Sequence, residues 1–471
     1  MKKSGVRNVI GGMEEENILA LIDSSETKDT QDANDDRLAF LEAVRATTIV
    51  SENGTPATQR MFEQVFKILR VGHSLELIMA SYQLLNELDK SFPRIYLSNV
   101  DKSQSESNPV PELVVVNEAW SPFEFACNQR GADENNGGPL DSSGFHLLIQ
   151  DLLDLASETN FHASHIKSLR DMLLFQYLVN VLESDFLCRN GAYEGTMNWT
   201  LVRESFLNIL LGSRKINFKS LMKDFLNTMC NLYQISEAFS DDLIHQEKSV
   251  VESAENSDSS VVIALFEVGK NTCISMQKLL SMIMELDTSK QKADTQRSIT
   301  RADGVRTPLL ELILDELTYN RDIIHPFLQV FDEPKWKLEL VVQYFWKYIS
   351  KPAVRTRRSN GSPDDTSFNG ALKCFSNITS TRSAIKKIGA EVIQLLLVHG
   401  FKAFLSLPSQ QHPDEGISAS GEERMSCSLT EICENMISSF TSLRKTNELM
   451  EISPLGKEAL FTAATILSIK S

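Results

Sequence analysis

Residues 307–359 read TPLLELILDELTYNRDIIHPFLQVFDEPKWKLELVVQYFWKYISKPAVRTRRS. Leu310, Ile313, Leu314 and Leu317 fall at i, i+3, i+4 and i+7, the spacing of one buried helical face. Thr307 before Pro308 is a helix start: the hydroxyl accepts from an unpaired amide, and proline is tolerated in the first turn. Pro334 starts a further helix in the same way. The stretch therefore predicts three consecutive helices near 308–318, 320–332 and 334–349. Their rhythm of roughly 40 residues is that of an armadillo or HEAT unit.

Outward from this stretch the pattern continues. Helices are predicted over Asp36–Val50, from Thr55-Pro56 to Arg70, and from Ser74 to about Asp89. Others follow from Phe145, over His162–Leu187, Trp199–Leu211, Phe218–Ile235 and Val261–Leu286. The last are Ser383–Leu407, Leu429–Met450 and Pro454–Ile469. Leu113–Val116 is the best extended segment. Glycine and proline total 35 of 471 residues, about 7% against a usual ~12%. With 42% hydrophobic residues, this favours long helices around a substantial core. The fold class is all-α: an armadillo/HEAT-like helical array (α-solenoid), with an irregular multi-helix bundle as the runner-up. Residues 1–35 read as a mobile acidic N-terminal tail with one short helix. Residues 36–471 read as a single helical-repeat-like domain with polar loops near 101–143, 241–260, 288–306, 355–366 and 410–425.

The net charge is −16, which disfavours wrapping a phosphate backbone with the whole surface. The charge is uneven, however. Lys335, Lys337, Lys347, Lys351, Arg355, Arg357 and Arg358 face only Glu339 over 335–358, a net of +6, leaving −22 elsewhere. Lys347, Lys351, Arg355, Arg357 and Arg358 are candidates for a partner, nuclear-import or nucleic-acid contact, or for an ordinary solvated loop. Ser359 is a candidate phosphosite, where a phosphate would cut the local positive charge.

The 334–349 helix carries two apolar stripes. Leu338, Val341, Val342, Phe345 and Ile349 form one; Trp336, Leu340, Tyr344 and Tyr348 form the other. The second suits a partner groove or a stacking surface for nucleic acid, or the second buried side of a helix within an array, which is the reading preferred here.

Seven cysteines are scattered without a CxxC spacing, as expected of a reduced compartment. The N-terminus lacks a signal peptide's apolar stretch, and no run reaches a membrane span. Motifs for chemistry are weak. Glu158, His162 and His165 form E-x3-H-x2-H, which is not the zinc-protease spacing. Gly269-Lys270-Asn271-Thr272 lacks the first glycine of a phosphate loop and sits in a helical pattern. No catalytic residue, metal or cofactor is expected from the motifs.

LLELILDELTYNRDIIHPFLQVFDEPKWKLE and QYFWKYISKPAVRTRRS, with the Ser383–Leu407 helix and the ending SPLGKEALFTAATILSI, resemble a known family. It is the plant negative regulators of systemic acquired resistance, leucine-rich nuclear proteins named as inducible suppressors of the NPR immune regulator. The resemblance covers most of the chain from about Asp35. It implies an armadillo-like, non-enzymatic nuclear protein that restrains defence genes and supports DNA damage response and homologous recombination. It also implies a non-SMC subunit of the SMC five/six complex. Its partners would be another non-SMC subunit and SMC proteins, with chromatin reached indirectly and no membrane. A direct DNA-binding repressor using Lys335–Arg358 is the alternative.

Overall fold

The computed structural model describes residues 16–22, 30–50, 56–98, 112–116, 119–125, 137–157, 165–246, 257–300, 303–304, 306–349, 367–407 and 421–470. The described fold is an all-α helical array with one two-stranded sheet. It divides into two compact units, 1–309 and 310–471.

The first unit begins with α1 (16–22), whose Ile18 is buried. Next come α2 (Thr30–Arg45), a π-turn (Ala46–Val50), α3 (Gln59–Val71) and α4 (Leu75–Ser91). The α3 helix starts later than Thr55-Pro56 suggests: Thr58 accepts from the Met61 amide at 3.3 Å and fixes the start at Gln59. Ser74 caps α4 as its hydroxyl predicts, accepting from Leu77 N at 3.2 Å. Both caps satisfy amides that the first helical turn leaves without a partner. Strands β1 (Ile95–Ser98) and β2 (Glu112–Val115) pair antiparallel, with Ile95 opposite Val115. Leu113–Val116 is thus extended, as read from sequence; its four-residue partner carries no distinct signal of its own.

The unit then continues through α5 (Ser142–Ser157), α6 (His165–Thr196), α7 (Trp199–Arg203), α8 (Phe206–Gly212), α9 (Phe218–Gln246) and α10 (Ser257–Thr295). The single helix expected over 199–211 is two. Ser205 accepts from Asn208 N at 3.2 Å, and Asp185 Oδ2 from α6 accepts from Phe206 N at 2.8 Å. A carboxylate distant in sequence thus restarts the helix. The α9 and α10 helices run into the stretches read as polar loops near 241–260 and 288–306, so 241–246, 257–260 and 288–295 are helical.

At the centre lies α6, buried on every side from Asp171 to Val179 and on its inner side as far as Tyr193. It packs along α10 and against α3, α4, α5, α7, α8 and the hairpin. Three of its amide side chains are matched across these contacts. Gln176 Nε2 donates to Val268 O at 3.0 Å and to Thr272 Oγ1 at 2.9 Å, while its Oε1 accepts from Tyr82 at 3.2 Å. Asn180 donates to Asn86 at 2.9 Å, and Asn190 accepts from Ser289 at 2.8 Å. Because a buried amide without a partner is costly, these pairs fix the register of α4 and α10 on α6.

The second unit holds α11 (Leu309–Tyr319), a 3-10 turn (Arg321–Ile323), α12 (Ile324–Val330), α13 (Pro334–Tyr348), α14 (Phe368–Phe375), α15 (Ile378–Ile388), α16 (Ala390–Ser406), α17 (Gly421–Thr446) and α18 (Pro454–Lys470). The three helices near 308–349 stand where their periodicity places them. The α11 face is Leu309, Leu312, Ile313, Leu314 and Leu317, with Leu310 only half-buried. The continuous 383–407 helix is instead broken at Gly389, whose φ of +89° excludes ordinary side chains. The α15 and α16 axes there differ by 106°. On α16, a Cβ at Gly400 would lie 2.6 Å from Phe368 and 2.9 Å from Val341, so only glycine admits this close approach of α13 and α14. The loop read near 410–425 ends early, because α17 begins at Gly421.

Ile313 has no exposed surface. Ile313→Asp would strand a carboxylate there and cost about 4 kcal/mol or more. Thermal unfolding of the variant should show a large loss of Tm; wild-type stability would refute the placement.

Candidate functional site

The basic stretch begins on α13. Pro334 occupies its first turn, and Glu333 precedes it without a side-chain cap. Both apolar stripes are used for packing. Val341, Val342, Phe345 and Ile349 are buried, and so are Trp336, Leu340 and Tyr344, while Leu338 and Tyr348 are half-buried. The stripe considered for base stacking therefore faces protein. Tyr344 meets Tyr348 in a tilted contact at 5.1 Å, and Phe345 meets Phe375 edge-on at 4.9 Å.

Lys347 is the candidate contact residue inside the described region. Its ammonium lies 2.8 Å from Asp315 of α11, both side chains being part-exposed. Tyr348 donates to Thr318 at 2.9 Å beside this pair, and Lys387 donates to Tyr348 O at 2.8 Å. Lys347 thus works as one tie in an α11–α13–α15 corner. Lys351, Arg355, Arg357, Arg358 and the candidate phosphosite Ser359 lie outside the described residues.

Lys337, part of the positive run, is turned away from solvent. It stands one turn before Val341 and two before Phe345, so the helix carries it onto the apolar side. It is 6% exposed, and its partner Asp332, at 3.2 Å, is mostly in water. Burial pulls the ammonium below the ordinary lysine range, and Asp332 partly restores it. Nearby His399 of α16 is also buried, and its Nε2 has no hydrogen-bond partner. Burial first, then the Lys337, His325 and Lys402 charges, push this imidazole down to about 4. Sequence reading missed this pair. The i, i+4, i+8 relation of Lys337, Val341 and Phe345 was the available signal.

The weaker motifs find no support as reactive sites. Glu158 and His162 lie outside the described residues, and His165 opens α6. Among the described residues, no group of three or more His, Cys, Asp or Glu side chains is placed to hold a metal ion. Gly269–Thr272 lies within α10, where the Thr272 hydroxyl donates to Val268 O at 2.7 Å and accepts from Gln176. Its amides belong to the helix and cannot cradle phosphate. Cys188, Cys230, Cys273, Cys374 and Cys433 form no disulfide. Burial pushes the Cys230 and Cys273 thiols up to about 12, which leaves them protonated and inert. Among the described residues, no single helix is long and apolar enough to cross a membrane.

Profile comparison matches residues 94–333 to the SNI1 middle domain and 349–471 to the SNI1 C-terminal domain. The protein named Negative regulator of systemic acquired resistance SNI1, from Arabidopsis thaliana, is 46% identical over 470 residues, 99% of this chain and 98% of that protein. The chain belongs to the SNI1 family. It is therefore a homologue of a negative regulator of systemic acquired resistance. The two SNI1 profiles leave 334–348 between them, the span of α13, whereas the packing divides at 309/310. No solved structure matches.

The His399 environment gives a pH dependence of known sign. Its folded pKa lies below the ordinary 6.5, so between about 4 and 6.5 the unfolded chain binds more protons. The stability contribution is complete above the unfolded value and is lost as pH falls through this window. We expect a loss of about 2 kcal/mol between pH 7 and pH 5 from this group. Urea unfolding at both pH values should show it, and His399→Gln should flatten the slope.

Proposed function

We propose that this protein is a nuclear, non-enzymatic scaffold that restrains defence gene expression, a reading supported by its relative's name as a negative regulator of systemic acquired resistance. Its place would be as a non-SMC subunit of an SMC five/six-type complex. There a helical surface holds a second non-SMC subunit, reaches chromatin through SMC proteins, and supports the DNA damage response and homologous recombination. The observation that carries the regulatory reading is the 46% identity to SNI1 over nearly the full length of both chains. Two features fit a docking role. The polar groups on α6 are spent on helix register rather than gathered around a reaction centre. The Lys270 segment belongs to a helix.

The regulatory reading is tested by complementation. Expressed in Arabidopsis thaliana lacking its SNI1, this chain should restore low basal defence-gene expression. Persistent derepression despite normal protein levels would count against it. Co-purification with stoichiometric SMC and non-SMC subunits from nuclei tests the complex assignment separately.

Direct DNA binding by Lys335–Arg358 is the rival. It draws less support, because Trp336, Lys337, Leu340 and Tyr344 are buried and Lys347 is ion-paired. We expect no specific retardation of duplex DNA at low salt. A salt-sensitive shift that collapses when Arg355, Arg357 and Arg358 become Ala would favour the rival.

A further inference from the structure

The α18 helix packs Gly456, Ala459 and Ala463 inward against α16 and α17. From Ala459 to Ile469 its eleven residues carry no charge. On the outer side Phe461 is 74% and Ile469 79% exposed, and Ala464, Thr465 and Ser468 between them are exposed too. Positions 461, 464, 465, 468 and 469 follow i, i+3, i+4, i+7, i+8, the spacing of a face made to be covered. A lone exposed apolar residue needs no explanation, but a face at this spacing does.

We propose that this face pairs with the same face of a second copy of the chain, antiparallel, about a two-fold axis at Thr465. Phe461 and Ile469 each stand four residues, about one turn, from Thr465. Antiparallel pairing about Thr465 sets Phe461 of each copy opposite Ile469 of the other. Thr465 meets its own copy at the centre beside the small Ala464, so the backbones approach closely there, and Ser468 falls opposite Thr462 of the other copy. The surface is thus self-complementary, as a two-fold interface requires.

Burying it strands no polar atom. The Thr465 hydroxyl donates to Phe461 O at 2.9 Å, and Ser468 donates to Thr465 O at 2.8 Å, both within the helix. Charge also favours a second copy. Residues 310–471 hold 18 Lys and Arg against 19 Asp and Glu, a net of −1, so nearly all of the −16 belongs to the other unit. The stretches 350–366 and 408–420 contain no run of large apolar residues that would cover the face from within the unit.

One helix pair buries less than the roughly 800 Å² per partner of a standard interface, so we expect a Kd on the order of micromolar. Sedimentation velocity of the full chain, from about 1 to about 100 µM, should show the mass rising from 52.9 kDa toward twice that value. Phe461→Lys and Ile469→Glu should each weaken association about tenfold or more, with unchanged helical circular dichroism. An equimolar mixture of the two should associate again, because the new charges oppose each other at one end while the native pair remains at the other. Thr465→Cys should form a disulfide-linked dimer on mild oxidation, where wild type and Lys457→Cys do not. A monomer at every concentration, association untouched by both charged variants, or a mixture that stays monomeric would overturn the proposal.

Discussion

Water is excluded from the middle of α6, so the side-chain amides there depend on partners within the protein. Gln176, Asn180 and Asn190 find partners on α4 and α10 in one alignment of those helices. A shift along α6 would take these amides from their partners, at about 1–3 kcal/mol for a fully buried one such as Gln176. Hydrophobic burial supplies most of the drive to collapse but is non-directional. The polar pairs therefore select which collapsed arrangement is native. Asp185 extends the same logic by holding Arg189 at 3.2 Å and the first amide of α8 at 2.8 Å.

The second unit solves the same problem with shape. The α13 helix is apolar on two sides and is covered on both. Its approach to α16 depends on Gly400, while the turn at Gly389 redirects the chain between α15 and α16. The exception is the Lys337–His399 corner, where a buried ammonium and a neutral imidazole lie within otherwise apolar packing. It makes this unit sensitive to acid. The positive run beginning at Lys335 is thus divided by the fold: Lys337 turns inward and Lys347 ties two helices together.

Much of the array was legible in the residues. Apolar spacing located α11, α12 and α13, and Ser74 and Pro454 marked real helix starts. Other boundaries were hidden for a common reason. The break before Phe206 is set by Asp185, the bend at Gly389 by a positive φ, and the reach of α10 into polar sequence by the burial of Ser289 and Ala293. The hairpin partner of β2 is four residues long and is defined by pairing and by its seat on α6, neither of which leaves a periodic mark. At the candidate site, the arginines were visible as a charge run, but the burial of Trp336 and Tyr344 depended on how many neighbours α13 acquires.

By itself the sequence determined the class of fold, since helical spacing and a scarcity of glycine and proline constrain each segment locally. It also determined the family, because nearly half its residues coincide with SNI1 along almost the whole chain. Only the tertiary structure decided which apolar faces are covered and which, as on α18, stay open. Only it decided which cations reach water. Burial is a property of neighbours distant in sequence, and a periodic pattern states that a face seeks cover without stating what provides it.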